Sequence, residues 1–242
     1  MLNGGFKMQP VIGIVGAMGE EIELFRDQLN QEEEERKASI TFYKGKLFGQ
    51  QVVLCQSGVG KVNAAMTAQI LIDCFHIDAL LFTGVAGGVD PALNIGDIVI
   101  STQCQQHDMD ASAVGFKKGE IPFAEKSIFE ADPRLISLAE TYRPPDPIKL
   151  VRGKVLSGDQ FIADPDYVAY LYRQFQGSCV EMEGAAVAQV CALNQIPFLI
   201  IRSLSDKADR SAKVNFEEFT RLAARRSFDL VCHMLKNWSQ QM

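Results

Sequence analysis

Short apolar runs recur along the chain, and most are followed by a stretch whose apolar positions share one helical face. Val11–Val15 is the first run and stops at Gly16. Ile22, Leu24, Phe25 and Leu29 then predict a helix over residues 19–29. Glu32-Glu33-Glu34-Glu35-Arg36-Lys37 has no apolar period and reads as a solvated loop. Ile40–Lys46 and Gln51–Gln56 read as a hairpin around Phe48-Gly49. A helix is predicted from Val62 to Phe75, then a buried strand, Ala79-Leu80-Leu81-Phe82. That strand runs into a glycine turn, Thr83-Gly84-Val85-Ala86-Gly87-Gly88, where backbone can approach backbone or a ligand.

Asp97–Ser101 is a further strand. Residues 105–125 have little apolar period and read as a long excursion, and such stretches are usually functional or disordered. Pro144-Pro145-Asp146-Pro147 breaks the chain before a strand over Val151–Leu156 and a helix near Asp164–Gln174. Gly184–Leu193 is helical. Pro197–Ile201 is apolar on both faces, as in the middle of a covered sheet. A last helix runs over residues 215–238. Strands alternating with helices predict an α/β fold: a single three-layer domain over residues 9–242 with a largely parallel sheet. The first eight residues read as a disordered leader. No linker and no internal repeat divides the chain.

Composition narrows the class. At 242 residues, 47% hydrophobic and 22% charged, the chain resembles an ordinary soluble domain with room for a large core. A formal charge of −6 argues against nucleic acid or an anionic membrane as the main partner. The cysteines at 55, 74, 104, 179, 191 and 232 form no C-x-x-C pair and read as buried thiols in a reducing compartment. The N-terminus lacks a signal-peptide hydrophobic region, and no apolar run approaches the ~20 residues that span a bilayer. A cytoplasmic location is expected.

Two nucleotide motifs fail. Gly58-Val59-Gly60-Lys61 follows a strand as a P-loop does. Cys55 stands where glycine is needed, though, and Val62 where a hydroxyl must hold magnesium. Gly13, Gly16 and Gly19 miss the dinucleotide-binding spacing. His76, His107 and His233 show no ligand spacing, so no metal site is expected.

Chemistry collects at strand ends. Val11–Val15 leads to Glu20 and Glu21, Leu80–Phe82 to the glycine turn, and Phe198–Ile201 to Arg202, Ser203, Ser205 and Asp206. Ligands of open α/β sheets bind beyond the carboxyl ends of the strands, so these groups can converge. Glu183 heads the helix that feeds the Asp206 strand and can join them. Carboxylates without a basic cluster suit a neutral or cationic substrate. Cleaving a glycosidic bond needs an acid for the leaving group and a base for water, and negative charge stabilises the cation-like transition state. Each residue also has a plainer use. Glu21 can be a first-turn acid, Asp206 a cap or turn residue, Phe161 and Met18 core, and Arg202 a partner of Glu181.

Six motifs occur in order: Gly13-Ile14-Val15-Gly16-Ala17-Met18 with Glu20-Glu21; Ser57-Gly58-Val59-Gly60-Lys61; Thr83-Gly84 with Ala86-Gly87-Gly88; Ser157-Gly158-Asp159 with Phe161-Ile162; Val180-Glu181-Met182-Glu183; and Ser205-Asp206. Together, from Val11 to about Leu235, they resemble the 5′-methylthioadenosine/S-adenosylhomocysteine nucleosidases of the purine nucleoside phosphorylase superfamily. The resemblance implies a central mixed, twisted sheet flanked by helices. It implies hydrolysis to adenine and a 5-thioribose, in methionine salvage and recycling of S-adenosylmethionine by-products, without a cofactor. Glu21 matches the general base for water and Asp206 the acid that protonates adenine N7. Glu183 matches the carboxylate on the ribose hydroxyls, with Met182 against the sugar. Phe161 would stack on adenine and the Ile162 backbone would bond its edge. Ala86 and Gly87 would touch substrate, Arg202 would lie near the water, and Met18 and Val59 would line the site. The family is homodimeric, and residues near Val114 and Pro122 would reach the neighbour's pocket. Two positions depart: Gly19 replaces a common acid, leaving Glu20 a competitor of Glu21, and Val85 replaces a common serine. A futalosine-type or 5′-deoxyadenosine nucleosidase, a phosphorylase, and a non-catalytic nucleoside-binding protein are the alternatives.

Overall fold

The carboxyl ends of three adjacent parallel strands organise the molecule. The structure is a computed structural model and describes residues 9–208 and 212–241; the expected leader lies outside them. Val11–Gly16 (β1) is buried from Ile12 onward and pairs in parallel with Gln50–Gln56 (β4) on one side and Ala79–Gly88 (β5) on the other. Phe198–Asp206 (β10) lies parallel to β5 on its far side. β5 and β10 are buried along their whole length, as strands covered on both faces must be.

Two sequence expectations change here. Ile40–Leu47 (β3) pairs antiparallel with β4, as expected of the hairpin. The acidic run beside it is not a loop but an edge strand, Asn30–Lys37 (β2), antiparallel to β3. Its side chains are nearly all exposed, so no apolar period marks it, and a charged edge resists pairing with other chains. The glycine stretch 83–88 is not a turn either. It is the second half of β5, because β10 stays in register with it from Ile201↔Thr83 to Leu204↔Ala86 and, after a bulge, pairs Asp206 with Gly87.

The sheet is mixed rather than largely parallel. β10 also pairs antiparallel with Ile98–Gln106 (β6), which runs parallel to Leu150–Ser157 (β8). β8 is parallel to Cys179–Glu181 (β9), and β9 returns antiparallel to β5 at Gly87 and Gly88. These pairings close a ring of strands at one end of the sheet. Ile128–Glu130 (β7) adds to β6. Between β6 and β7 the excursion carries a single 3-10 turn, Ser112–Val114.

The helices are Gly19–Arg26 (α1), Lys61–Phe75 (α2), Pro133–Ala139 (α3), Pro165–Phe175 (α4), Gly184–Leu193 (α5) and Ala212–Gln241 (α6). α1 stops three residues short of expectation because the chain must enter β2. α3 has no sequence expectation; Asp132 caps it by accepting from the amides of Arg134 and Leu135, with Pro133 at its first position. α6 buries Phe228, Leu230, Val231 and Leu235, and Phe228 meets Phe25 of α1 edge-on at 4.7 Å. Each such side chain contributes about 1.5–3 kcal/mol on burial. The cysteines are free and buried except Cys74, which is exposed on α2. Among the described residues no helix is long and apolar enough to cross a membrane.

Candidate active site

Glu21 sits in the first turn of α1 and is buried, whereas Glu20 beside it is exposed. One Glu21 oxygen accepts from the amides of Ala17 at 2.6 Å and Met18 at 3.0 Å. The other accepts from the Val85 amide at 3.0 Å. The carboxylate thus satisfies its own helix end and bridges β1 to β5. Burial raises its pKa above 4.5, against the Arg202 charge and the three amides. Such a group can accept a proton at neutral pH more readily than a solvated carboxylate.

The glycines of β5 make space for acids. A Cβ on Gly84 would stand 2.5 Å from a Glu21 oxygen, and one on Gly87 would stand 2.9 Å from an Asp206 oxygen. Asp206 ends β10 and is buried. It accepts from the Ser205 hydroxyl at 2.8 Å and the Ala208 amide at 2.7 Å.

At α5 two acids divide the work. Glu181 accepts from the Gly184 amide at 2.8 and 3.0 Å, from the Ser157 hydroxyl, and from Arg202 at 2.6 and 3.1 Å. Glu183 is left facing the cavity with one amide, from Gly60 at 2.8 Å. Burial and the neighbouring Glu181 charge push its pKa up to about 8, against Arg202 and the Gly60 amide.

A cavity of about 210 Å³ opens between these groups. Glu21, Glu183 and Asp206 line it, as do Met18, Val59, Ala86, Gly87, Phe161, Ile162 and Met182. Arg202 does not. It is 1% exposed, paired with Glu181 and stacked on the Phe82 ring at 4.2 Å, behind the wall. From outside the lining its charge acts on Glu21 and Glu183. Sequence reasoning missed Phe216 of α6, which lines the cavity and meets Phe161 edge-on at 5.6 Å. Nothing local marked it, since its helical face also faces core. Among the described residues no group of three His, Cys, Asp or Glu side chains could hold a metal ion.

A phosphorylase-superfamily model matches residues 11–236. A 5′-methylthioadenosine/S-adenosylhomocysteine nucleosidase of Bacillus cytotoxicus is 43% identical over 227 residues, covering 93% of this chain and 98% of the relative. The chain belongs to this nucleosidase family. The crystal structure of a family member from Colwellia psychrerythraea 34H, in complex with adenine, superposes with a TM-score of 0.90 at 39% identity, covering 94% of this chain and 95% of that one. A futalosine hydrolase of Helicobacter pylori superposes equally well, at 0.90, with 34% identity over 95% of this chain and 99% of that one.

Within the nucleosidase family pattern, the two departures have local accounts. Gly19 is exposed with open space around it, so losing an acid there leaves Glu21 undisturbed. Val85 keeps its amide on Glu21 and lines the cavity, where it packs with Ala223 and Ala224. An apolar wall replaces a hydroxyl at that point.

Proposed function

We propose that the chain hydrolyses the N-glycosidic bond of 5′-methylthioadenosine and S-adenosylhomocysteine, releasing adenine and a 5-thioribose. The observation that carries this reading is that two buried acids, Glu21 and Asp206, line one cavity, each held against β5 where a glycine makes room. Asp206 protonates adenine N7 as the C1′–N9 bond breaks and its electron pair passes into the ring. Glu21 takes a proton from the water whose oxygen bonds to C1′. Glu183 accepts from the ribose hydroxyls, which favours its charged form once substrate is bound. The carboxylates around the site stabilise the cation-like transition state. Phe161 covers the base, the Ile162 backbone meets its edge, and Met182 packs on the sugar.

Water rather than phosphate is the nucleophile in this reading. The buried guanidinium of Arg202 is already paired with Glu181, and Val85 offers no hydroxyl, so among the described residues a phosphate anion would meet acids with no Lys or Arg lining the cavity. A futalosine-type substrate is the weaker reading, because the relative of that name is 34% identical against 43% for the methylthioadenosine enzyme. The reading includes one domain over residues 9–242 and a cytoplasmic location, supported by free thiols. It also includes a homodimer in which residues near Val114 and Pro122 reach the neighbouring cavity. The exposure of Val114 and Phe123 on the excursion supports that partner surface. Incubating the purified protein with methylthioadenosine in phosphate-free buffer and quantifying adenine tests the proposal. Release without phosphate is expected; no release, or a strict phosphate requirement, overturns it.

A further inference from the structure

The Gly-Lys pair that fails as a P-loop has another use. Lys61 opens α2, and its ammonium donates to Asp108 at 2.6 Å and to Gln106 at 3.0 Å. The second Asp108 oxygen accepts from the Asp159 amide at 2.9 Å. The Asp159 carboxylate in turn accepts from the Lys61 amide at 2.8 Å. These contacts close a ring of three residues from three separate segments: the start of α2, the start of the excursion, and the loop after β8. The Lys61 and Asp108 side chains are 17% and 16% exposed, so water screens their pairing only partly. Partial burial alone would raise the Asp108 carboxyl, but the Lys61 ammonium and the Asp159 amide hold it below its ordinary value.

The ring touches the nucleoside site on both sides without lining it. One residue before Lys61, the Gly60 amide donates to Glu183, and Val59 lines the cavity. Two and three residues after Asp159, Phe161 and Ile162 line it as well. Gly58 and Gly60 have positive φ values of 83° and 98°, so this approach to α2 has little intrinsic rigidity and needs an external tie. Asp159 supplies one from its carboxylate while Asp108 fixes its backbone.

We propose that Lys61, Asp108 and Asp159 are positioning residues that clamp the base-covering loop to the sugar-side loop, so that both walls are in place before substrate arrives. This rests on the nucleosidase reading of the cavity. The walls contact substrate throughout the reaction, whereas Glu21 and Asp206 are held by groups outside the ring. Loosening the clamp therefore weakens binding of substrate and transition state alike.

The test uses the full chain carrying Asp108→Asn, Lys61→Met, both changes together, and Lys61→Arg. The readouts are kcat and KM with methylthioadenosine, the adenine dissociation constant by calorimetry, and the melting temperature. Each charge-removing single change is expected to raise KM about tenfold and weaken adenine to a similar degree, with kcat within about threefold of wild type. The double variant is expected to be no worse than the worse single, because both changes break one ring. Lys61→Arg, which keeps the charge, is expected to regain most of the affinity. A folded Asp108→Asn protein with wild-type KM and adenine affinity would overturn the clamp. So would a loss confined to kcat, or additive effects in the double variant. If wild type binds adenine but releases none from methylthioadenosine, the nucleosidase reading fails, and the adenine affinities of the variants still decide the clamp.

Discussion

The helix starts of α1 and α5 meet the same demand in opposite ways. Both follow a strand, both open beside the cavity, and both leave backbone amides in need of acceptors. At α1 a single acid does everything: Glu21 takes the amides of Ala17 and Met18, reaches across to Val85, and faces the cavity. At α5 the tasks are split. Glu181 takes the Gly184 amide and the guanidinium of Arg202, so Glu183 keeps one donor, Gly60, and faces the cavity. In the proposed reaction the group that moves a proton is fixed by three amides, and the group that grips hydroxyls is left with most of its acceptor capacity unused. A buried acid can serve a ligand when another group has already satisfied the helix end.

The largest effect tests the acid that belongs to neither helix. Asp206→Asn is expected to lower kcat by about 10²–10⁴-fold with methylthioadenosine while adenine still binds. Steady-state kinetics and calorimetry on the same preparation check this, and near-normal turnover would remove Asp206 as the proton donor. Next comes the split at α5. Glu181→Gln leaves Arg202 buried without its charge partner and is expected to cost about 3–5 kcal/mol of stability in denaturant unfolding. Adding Arg202→Met should restore part of that loss; a double variant less stable than the single would mean the pair matters beyond its charge balance.

A further effect is in the pH dependence of stability. The Glu183 carboxyl titrates near 4.5 when solvated and at about 8 in the fold. Between those values the folded state holds a proton that the unfolded chain has released. Stability therefore falls as pH rises through that window. Glu183→Gln should flatten the fall, measured as melting temperature from pH 5 to pH 8. An identical slope in both proteins would assign the dependence to other groups.

Glu21 and Asp206 could be found in sequence because each follows an apolar run, and strand ends are where such sheets bind ligands; Glu183 could be found because it heads the helix that feeds the Asp206 strand. What escaped notice lacked a local signal. β2 is made of exposed acids and exists because β3 supplies its partner. Residues 83–88 look like a turn because glycine there serves space, not curvature: Gly84 and Gly87 admit the carboxylates of Glu21 and Asp206 into an otherwise ordinary strand. Arg202 was drawn toward the substrate by the family pattern. Its plainer reading as the partner of Glu181 is the one the geometry supports, since an uncompensated buried guanidinium would be costly. Phe216 reaches the cavity from a helix distant in sequence, and no spacing rule links it to Phe161.

The central claim is that Glu21, held by three amides beside β5, activates the water that cleaves the nucleoside. Adenine release from methylthioadenosine in phosphate-free buffer, compared between wild type and Glu21→Gln at matched adenine affinity, tests it most directly. The account predicts a rate lower by about 10²–10⁴-fold in the variant. A variant that releases adenine within about tenfold of the wild-type rate would contradict the account, because a base contributes more than that.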